Sequence, residues 1–317
     1  MNTMPEQAKL YDINDNQSLI DYTGLDFGSL TRLKNLASKI ENQEVILFIG
    51  SAVHSPPPKE LESIYGQFNS PPSANSLAQE LCRLTDFKQR YPNEGTPTLS
   101  RIAQLYELDL NRGEIFKFLN QHIGSENLAP SSVVKGLAEM PFKYIMTTNY
   151  DVLFEKALNE KAKSPKIGHY NANNSTPTTN YPENEISVQN PFFYKIHGDI
   201  KSNDSIVVTD EDYIDFIIRM NDKGDYNPIP QSFLYAIGQR PILFIGYGLK
   251  DYNLKILFKI TMPKKHNLPM IYSIDLKPDD ITSKIYEEQF SIKFIRSDIW
   301  KVVPVLYEMV MKKPMPI

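Results

Sequence analysis

"KYIMTTNYDVLFEKAL", residues 143–158, opens as a buried strand and closes as an amphipathic helix. Between the two lie Thr147, Thr148, Asn149, Tyr150 and Asp151, where a short apolar turn would serve. The pattern returns at "RPILFIGYGLKDYNLKILFKI" (240–260), with Asp251 as a candidate helix N-cap. "VILFIG" (45–50) is another continuous apolar run ending at glycine. Short β-branched runs of this kind read as buried parallel strands.

Working outward, "GSLTRLKNLASKIEN" (28–42) spaces Leu30, Leu33, Leu36 and Ile40 as a helix face, with Ser29 as a candidate N-cap. Residues 51–76 carry three consecutive prolines and a later Pro-Pro, which forbid an immediate helix and predict a long, stiffened loop. "SLAQELCRL" (76–84) starts a helix with Ser76 and Gln79 as a capping box. Residues 98–140 read as two or three helices. Residues 161–191 read as a loop, with room for a short hairpin. "PFFYKIHGD" (191–199) is a strand and turn, and "SIVVTDEDYIDFIIRM" (205–220) a short strand, a cap at Thr209 or Asp210, and a helix. "PMIYSIDLKPDD" (269–280) is a further strand, and residues 291–312 a last strand and a terminal helix.

Strands alternating with helices predict an α/β fold: a Rossmann-like, mainly parallel sheet flanked by helices, with a helical insertion. The expected organisation is one domain over residues 1–317, with a core about 29–312, a helical layer about 76–140 and a variable loop about 161–191. No internal repeat is visible. In such sheets, ligands bind beyond the carboxyl ends of the strands. Gly50 and Ser51, Thr147 to Asp151, His197 to Asp199, Gly246 to Gly248, and Ser273 to Asp275 all fall at predicted strand ends. Five ends would line one crevice.

Composition narrows the function classes. Of 317 residues, 41% are hydrophobic, which is a folded chain's composition, and the net charge is −4. Nucleic-acid binding needs a large basic footprint; the best cluster, "MPKKH" (262–266), reads as a solvated loop. Cys82 is the single cysteine, so neither an internal disulfide nor a zinc ribbon can form, and a reducing setting fits. No apolar run approaches the roughly 20 residues of a membrane span, and the first residues have no apolar signal core. The expectation is a cytoplasmic protein with no direct nucleic-acid or membrane partner. P-loop, His-Glu-x-x-His and Gly-x-Ser-x-Gly signatures are absent. The other histidines (His54, His122, His169 and His266) share no metal-ligand spacing.

Four pieces, in order, carry a family resemblance: "LFIGSAVHS" (47–55), "MTTNYDVLFEKAL" (146–158), "YKIHGD" (194–199) with "VVTDEDY" (207–213) behind it, and "LFIGYGLKDYNLKIL" (243–257). Together they resemble the SIR2-like family, in particular its NAD-consuming branch of prokaryotic antiphage defence. The first piece resembles the phosphate turn, where Gly50 and the backbone N–H groups of Ser51 and Ala52 after it would meet a pyrophosphate. It lacks the second glycine of the family's Gly-Ala-Gly-x-Ser. His54 lies in this turn, as a loop residue or a ligand contact. In the second piece Asn149 matches the asparagine that holds the nicotinamide ribose and the incoming water. Thr148 lies beside it. Asp151 matches the motif's aspartate and serves equally well as a helix cap, and Tyr150 fits either a pocket wall or the core. His197 matches the catalytic histidine, an imidazole suited to proton transfer. Gly246 and Gly248 resemble the turn that receives the adenosine half, and Ser273 and Asp275 would contact its ribose or adenine.

The resemblance implies an NAD+ glycohydrolase with NAD as substrate and no metal, yielding nicotinamide and ADP-ribose. The cysteine pairs of protein-deacylating sirtuins are absent. A toxic activity implies control, by homo-oligomerisation or by a partner such as a HerA-type ATPase; a longer parent chain is also compatible. The alternatives are an NAD or ADP-ribose sensor or scaffold with a degenerate site, and an NAD-dependent deacylase or ADP-ribosyltransferase.

Overall fold

Two runs of identical sequence, ILFI, lie side by side at the centre of the sheet. The computed structural model describes residues 10–171, 177–221, 225–247 and 269–317. Gly248, Asp251, the stretch 262–266 and His266 lie outside the described residues. The strands are β1 (Ile46–Ile49), β2 (Tyr144–Thr147), β3 (Lys166–His169), β4 (Phe192–Lys195), β5 (Ile242–Ile245), β6 (Ile271–Ile274) and β7 (Ile292–Ile295). They form one seven-stranded sheet in the order β3-β4-β2-β1-β5-β6-β7, with every pair parallel. The chain builds outward from β1 to one side, then crosses to the other at β5. The order reverses between β1 and β5, which is the place where open α/β sheets hold ligands.

The helices are α1 (Asn16–Thr23), α2 (Phe27–Glu41), α3 (Glu62–Tyr65), α4 (Ala74–Leu84), α5 (Phe87–Arg90), α6 (Leu99–Asp109), α7 (Arg112–His122), α8 (Ser132–Glu139), α9 (Leu153–Glu160), α10 (Asp210–Arg219), α11 (Gln231–Ile237), α12 (Asp280–Phe290) and α13 (Ile299–Met311). The two-residue period of the strands sorts them into layers. Leu47, Ile49, Ile145, Phe193, Leu243 and Ile245 point to one face, under α1, α2, α8, α9 and α13. Ile46, Phe48, Tyr144, Met146, Tyr194 and Phe244 point to the other, under α10, α11 and α12. Both faces are covered, which is why these strands read as continuous apolar runs. A third cluster joins α4, α6 and α7 to Ile200, Ile206 and Val208. The helical layer is therefore α4 to α7; α8 belongs to the main core.

Several expectations are corrected. Asp26, not Ser29, caps α2, and the Ser29 N–H donates to its carboxylate. Ser73, not Ser76, caps α4, and the Ser76 N–H donates to it. In each case a cap-forming residue three positions upstream takes the role and the predicted one sits in the first turn. Residues 161–191 contain a parallel edge strand, β3, rather than a hairpin. Residues 206–208 are an extended connection rather than a strand; the Val207 N–H donates to the His197 carbonyl. The proline-rich stretch holds short 3-10 turns at Ser51–His54 and Lys59–Leu61 around the prolines, then α3. The expected cap at Thr209 is present, with Asp212 completing a capping box.

Candidate active site at the strand ends

The Thr147–Asp151 turn is held at both ends. The Thr147 hydroxyl donates to the Ile49 carbonyl at 2.8 Å, tying β2 to β1, and accepts the Asn149 N–H at 3.0 Å. On the other side lies Lys195, the last residue of β4 and fully buried. Its ammonium donates to the carbonyls of Tyr150 (3.0 Å) and Asp151 (2.7 Å) and pairs with Glu155 (2.9 Å) and Asp199 (3.1 Å). One lysine thus ties the Asn149 turn, the start of α9 and the residues after β4 into one unit. Burial pushes the Glu155 carboxyl up to about 7 against the pull of Lys195.

Asp151 is buried and does two things. Its Oδ1 accepts the Leu153 N–H at 2.9 Å from one residue before the N-cap of α9, which is Val152 and not Asp151; its Oδ2 faces His54 Nε2 at 3.1 Å. Burial acts to raise this carboxyl. The charge and hydrogen bond of His54, the Leu153 amide and the Lys195 charge outweigh burial and hold the carboxyl below its usual range. His54 Nε2 also lies 3.3 Å from the Asn149 carboxamide. The imidazole of the turn after β1 therefore joins the two polar residues of the turn after β2.

Six buried side-chain polar atoms lack a hydrogen-bond partner among the described residues. Three belong to this unit: His54 Nδ1, Asn149 Oδ1 and Glu155 Oε2. Each orphaned buried group costs about 1–3 kcal/mol, so their clustering marks a place where a ligand would supply what the protein does not.

His197 stands two residues beyond Lys195, as Asn149 stands two beyond Thr147, and Thr147 and Lys195 are partners in the β2–β4 register. Phe216 and Tyr213 of α10 meet the His197 ring edge-on. Burial lowers its pKa to about 4, so the ring is neutral at pH 7. Gly198 follows at φ +90°, where a Cβ would overlap the Ser205 carbonyl; only glycine lets the chain turn there. Tyr150 is half-buried against the helical layer and donates to the Val207 carbonyl at 2.6 Å, holding the segment behind His197.

At the β1–β5 switch, Gly50 and Gly246 pack backbone to backbone. Gly246 has φ +76°, and a Cβ there would lie 2.5 Å from the Val53 nitrogen. The Ala52 N–H donates to the Gly246 carbonyl at 3.0 Å, so that amide is engaged within the protein. Ser51 is exposed at the same turn. The Tyr247 hydroxyl reaches the Ile49 carbonyl (2.9 Å) and the Thr148 hydroxyl (3.1 Å), bridging the ends of β1 and β2. Ser273 lies within β6 and is fully buried; Asp275 follows that strand and accepts the Lys277 N–H. Both are three strand spacings from β2, about 14 Å. The structure thus gathers Gly50, Ser51, Ala52, Thr148, Asn149, Asp151, His197 and Gly246 at the ends of β1, β2, β4 and β5, with Ser273 and Asp275 at the margin. A surface cavity of about 480 Å³ lies between the segment before α1, the second half of α2 and the end of α13, and gathers none of these residues.

Sequence reasoning passed over Lys195, Glu155 and the His54 contacts. A lysine inside the apolar run "FFYKI" was the available signal for the first.

No group of three or more His, Cys, Asp or Glu side chains among the described residues is arranged to hold a metal ion. No helix among them is long and apolar enough to cross a membrane.

Residues 143–295 match the model of the SIR2-like domain. The chain is 30% identical over 179 residues to "NAD(+) hydrolase ThsA" of Enterococcus faecium, covering 56% of this chain and 34% of that protein. It is 25% identical over 253 residues to the protein of the same name from Acinetobacter baumannii, covering 74% of this chain and 49% of the other. "Defense-associated sirtuin 2" of Bacillus subtilis is 24% identical over 48% of this chain and 14% of its own length. The chain thus spans at most about half the length of these curated relatives. The all-parallel sheet, the order of the strand-end residues and these matches make residues 143–295 similar to the SIR2-like domain.

Proposed function

We propose that this chain cleaves the bond between nicotinamide and ribose in NAD+, giving nicotinamide and ADP-ribose. The observation that carries the reading is the orphaned end of the Asn149 carboxamide, buried at the strand-end cluster that includes neutral His197. The names of the relatives, NAD(+) hydrolases, support it.

In this reading the C–N bond breaks, and its electron pair leaves with nicotinamide as a neutral base. A water oxygen bonds to the ribose carbon and releases a proton. The positive charge of the substrate spreads into the ribose as the bond breaks, so no metal is needed. Asn149 holds a ribose hydroxyl and the water through its carboxamide. His197, neutral at pH 7, accepts a ribose hydroxyl proton as the positive charge builds and returns it to that oxygen once water has added, so that one proton, the water's, is released overall. The Gly50–Ala52 turn and Gly246 receive the phosphates and the adenosine half.

The name of one relative, "Defense-associated sirtuin 2", supports a role as a defence effector. We place it in the cytoplasm, with residues 1–317 forming one domain, restrained by self-assembly or by a partner protein such as a HerA-type ATPase.

The test is to incubate the purified chain with NAD+, alone and with candidate partners. Equal amounts of nicotinamide and ADP-ribose are expected. Binding of ADP-ribose with no cleavage under any condition would overturn the hydrolase in favour of a sensor.

A further inference from the structure

The position of one proton at His54 decides which end of Asn149 faces the ligand. Nε2 of His54 lies 3.1 Å from Asp151 Oδ2 and 3.3 Å from the Asn149 carboxamide. A ring nitrogen donates or accepts; it does not do both. Asp151 is a carboxylate and can only accept: its other oxygen already takes the Leu153 N–H, and its surroundings favour the charged form. Nε2 therefore carries hydrogen and donates to Asp151.

The consequence falls on Asn149. An NH2 group set against Nε2–H would place donor against donor. The carboxamide turned by 180° has the same shape and sets its oxygen there instead, sharing the Nε2 hydrogen. Its NH2 then occupies the other end of the amide, which is buried and has no partner among the described residues. Two N–H donors are left for an oxygen atom that the protein does not provide. His54 is itself buried and fixed from behind: Trp300 donates to the Ser55 carbonyl at 3.0 Å, and α8 packs on the same turn.

We propose that His54 is a positioning residue: held by Asp151, it orients the Asn149 carboxamide so that its NH2 faces a ligand oxygen, a ribose hydroxyl or the incoming water. The proposal rests on the NAD+ reading for the identity of that oxygen, but not for the proton on Nε2. His54 acts through Asn149 and touches no reacting atom.

The experiment combines two variants with a spectroscopic readout. His54→Ala removes the donor; His54→Gln keeps an N–H near the place of Nε2. Cleavage of NAD+ by His54→Ala is expected to fall at least tenfold in kcat, with KM changed less than threefold. His54→Gln is expected to recover to within about threefold of wild type. Nitrogen-15 spectra of histidine-labelled wild type are expected to show His54 protonated at Nε2. Three results would overturn the proposal: a bare Nε2, wild-type kcat in His54→Ala, or a folded His54→Gln as impaired as His54→Ala. Should His54→Ala fail to fold, the glutamine variant and the spectrum decide. Should wild type cleave no NAD+ while its spectrum shows Nε2–H, the NAD+ reading fails and the positioning role stands.

Discussion

On one side of β1, strands β2 and β4 run into Thr147–Asp151 and Lys195–Asp199, where Asp151, Lys195, His197 and Asp199 are all buried, with Glu155 beside them. On the other side, β5, β6 and β7 have the same length, direction and apolar makeup. The buried polar residues in β6 and just after β7 are neutral serines, Ser273 and Ser297. Among the described residues, β5, β6 and β7 close their part of the core without buried charge. Burying ionised groups is unfavourable unless each is matched, so the first half carries chemistry that packing alone does not require. Lys195 is what makes the arrangement tolerable, since its ammonium meets two carbonyls and two carboxylates at once.

Breaking that match should give the largest effect. Lys195→Ala leaves Glu155 and Asp199 facing each other without a cation, and losing one partner of a buried pair costs about 3–5 kcal/mol. Urea unfolding of the variant is expected to show a loss of that size; a loss below about 1 kcal/mol would mean the two halves are equivalent.

Acidity sharpens the contrast from within the charged half. His197 titrates near 4 when folded and near 6.5 as a free group. Between those values the unfolded chain binds the proton and the native one does not, so stability falls as pH drops from 6.5 to 4. Glu155 titrates near 7 when folded and near 4.5 when free. Here the native state binds the proton first, so stability rises as pH drops from 7 to 4.5. Each shift is worth about 3 kcal/mol, and the two oppose each other. Unfolding free energies at pH 7 and 4.5 are expected to fall more steeply on acidification in Glu155→Gln than in wild type, and less steeply in His197→Gln. Parallel profiles in all three proteins would contradict the opposed pair.

The smallest effect belongs to the neutral half. The Ser273 hydroxyl is buried without a partner among the described residues, so Ser273→Ala removes an unsatisfied group. Its stability is expected within about 0.5 kcal/mol of wild type, or slightly above it. A loss above 1 kcal/mol would show a role for that hydroxyl.

Much of this was legible in the sequence, for physical reasons that also mark the failures. The parallel sheet followed from apolar runs ending at glycine, because strands covered on both faces leave no alternation. The edge strand β3 was missed because "KIGH" is short, half-exposed and broken by glycine. Residues 206–208 looked like a strand because Ile-Val-Val is β-branched, but those side chains are buried against the helical layer and beside α10 instead. The caps of α2 and α4 slipped by three residues because two cap-forming residues stood at each start. Within the site, Asn149, Asp151 and His197 were legible as polar residues at strand ends. The His54–Asp151 contact spans 97 residues of chain and has no local signal. Lys195 was read as part of a strand, since Glu155, one of the two carboxylates it meets, lies 40 residues away in the chain.

The most direct measurement is NAD+ consumption by wild type, Asn149→Ala and His197→Ala, alone and with candidate partners. Asn149 and His197 hold neighbouring places at the ends of β2 and β4, and removing either is expected to lower cleavage about 100-fold or more while the fold persists. Cleavage at the wild-type rate in both folded variants would contradict the central claim that this turn is the catalytic wall.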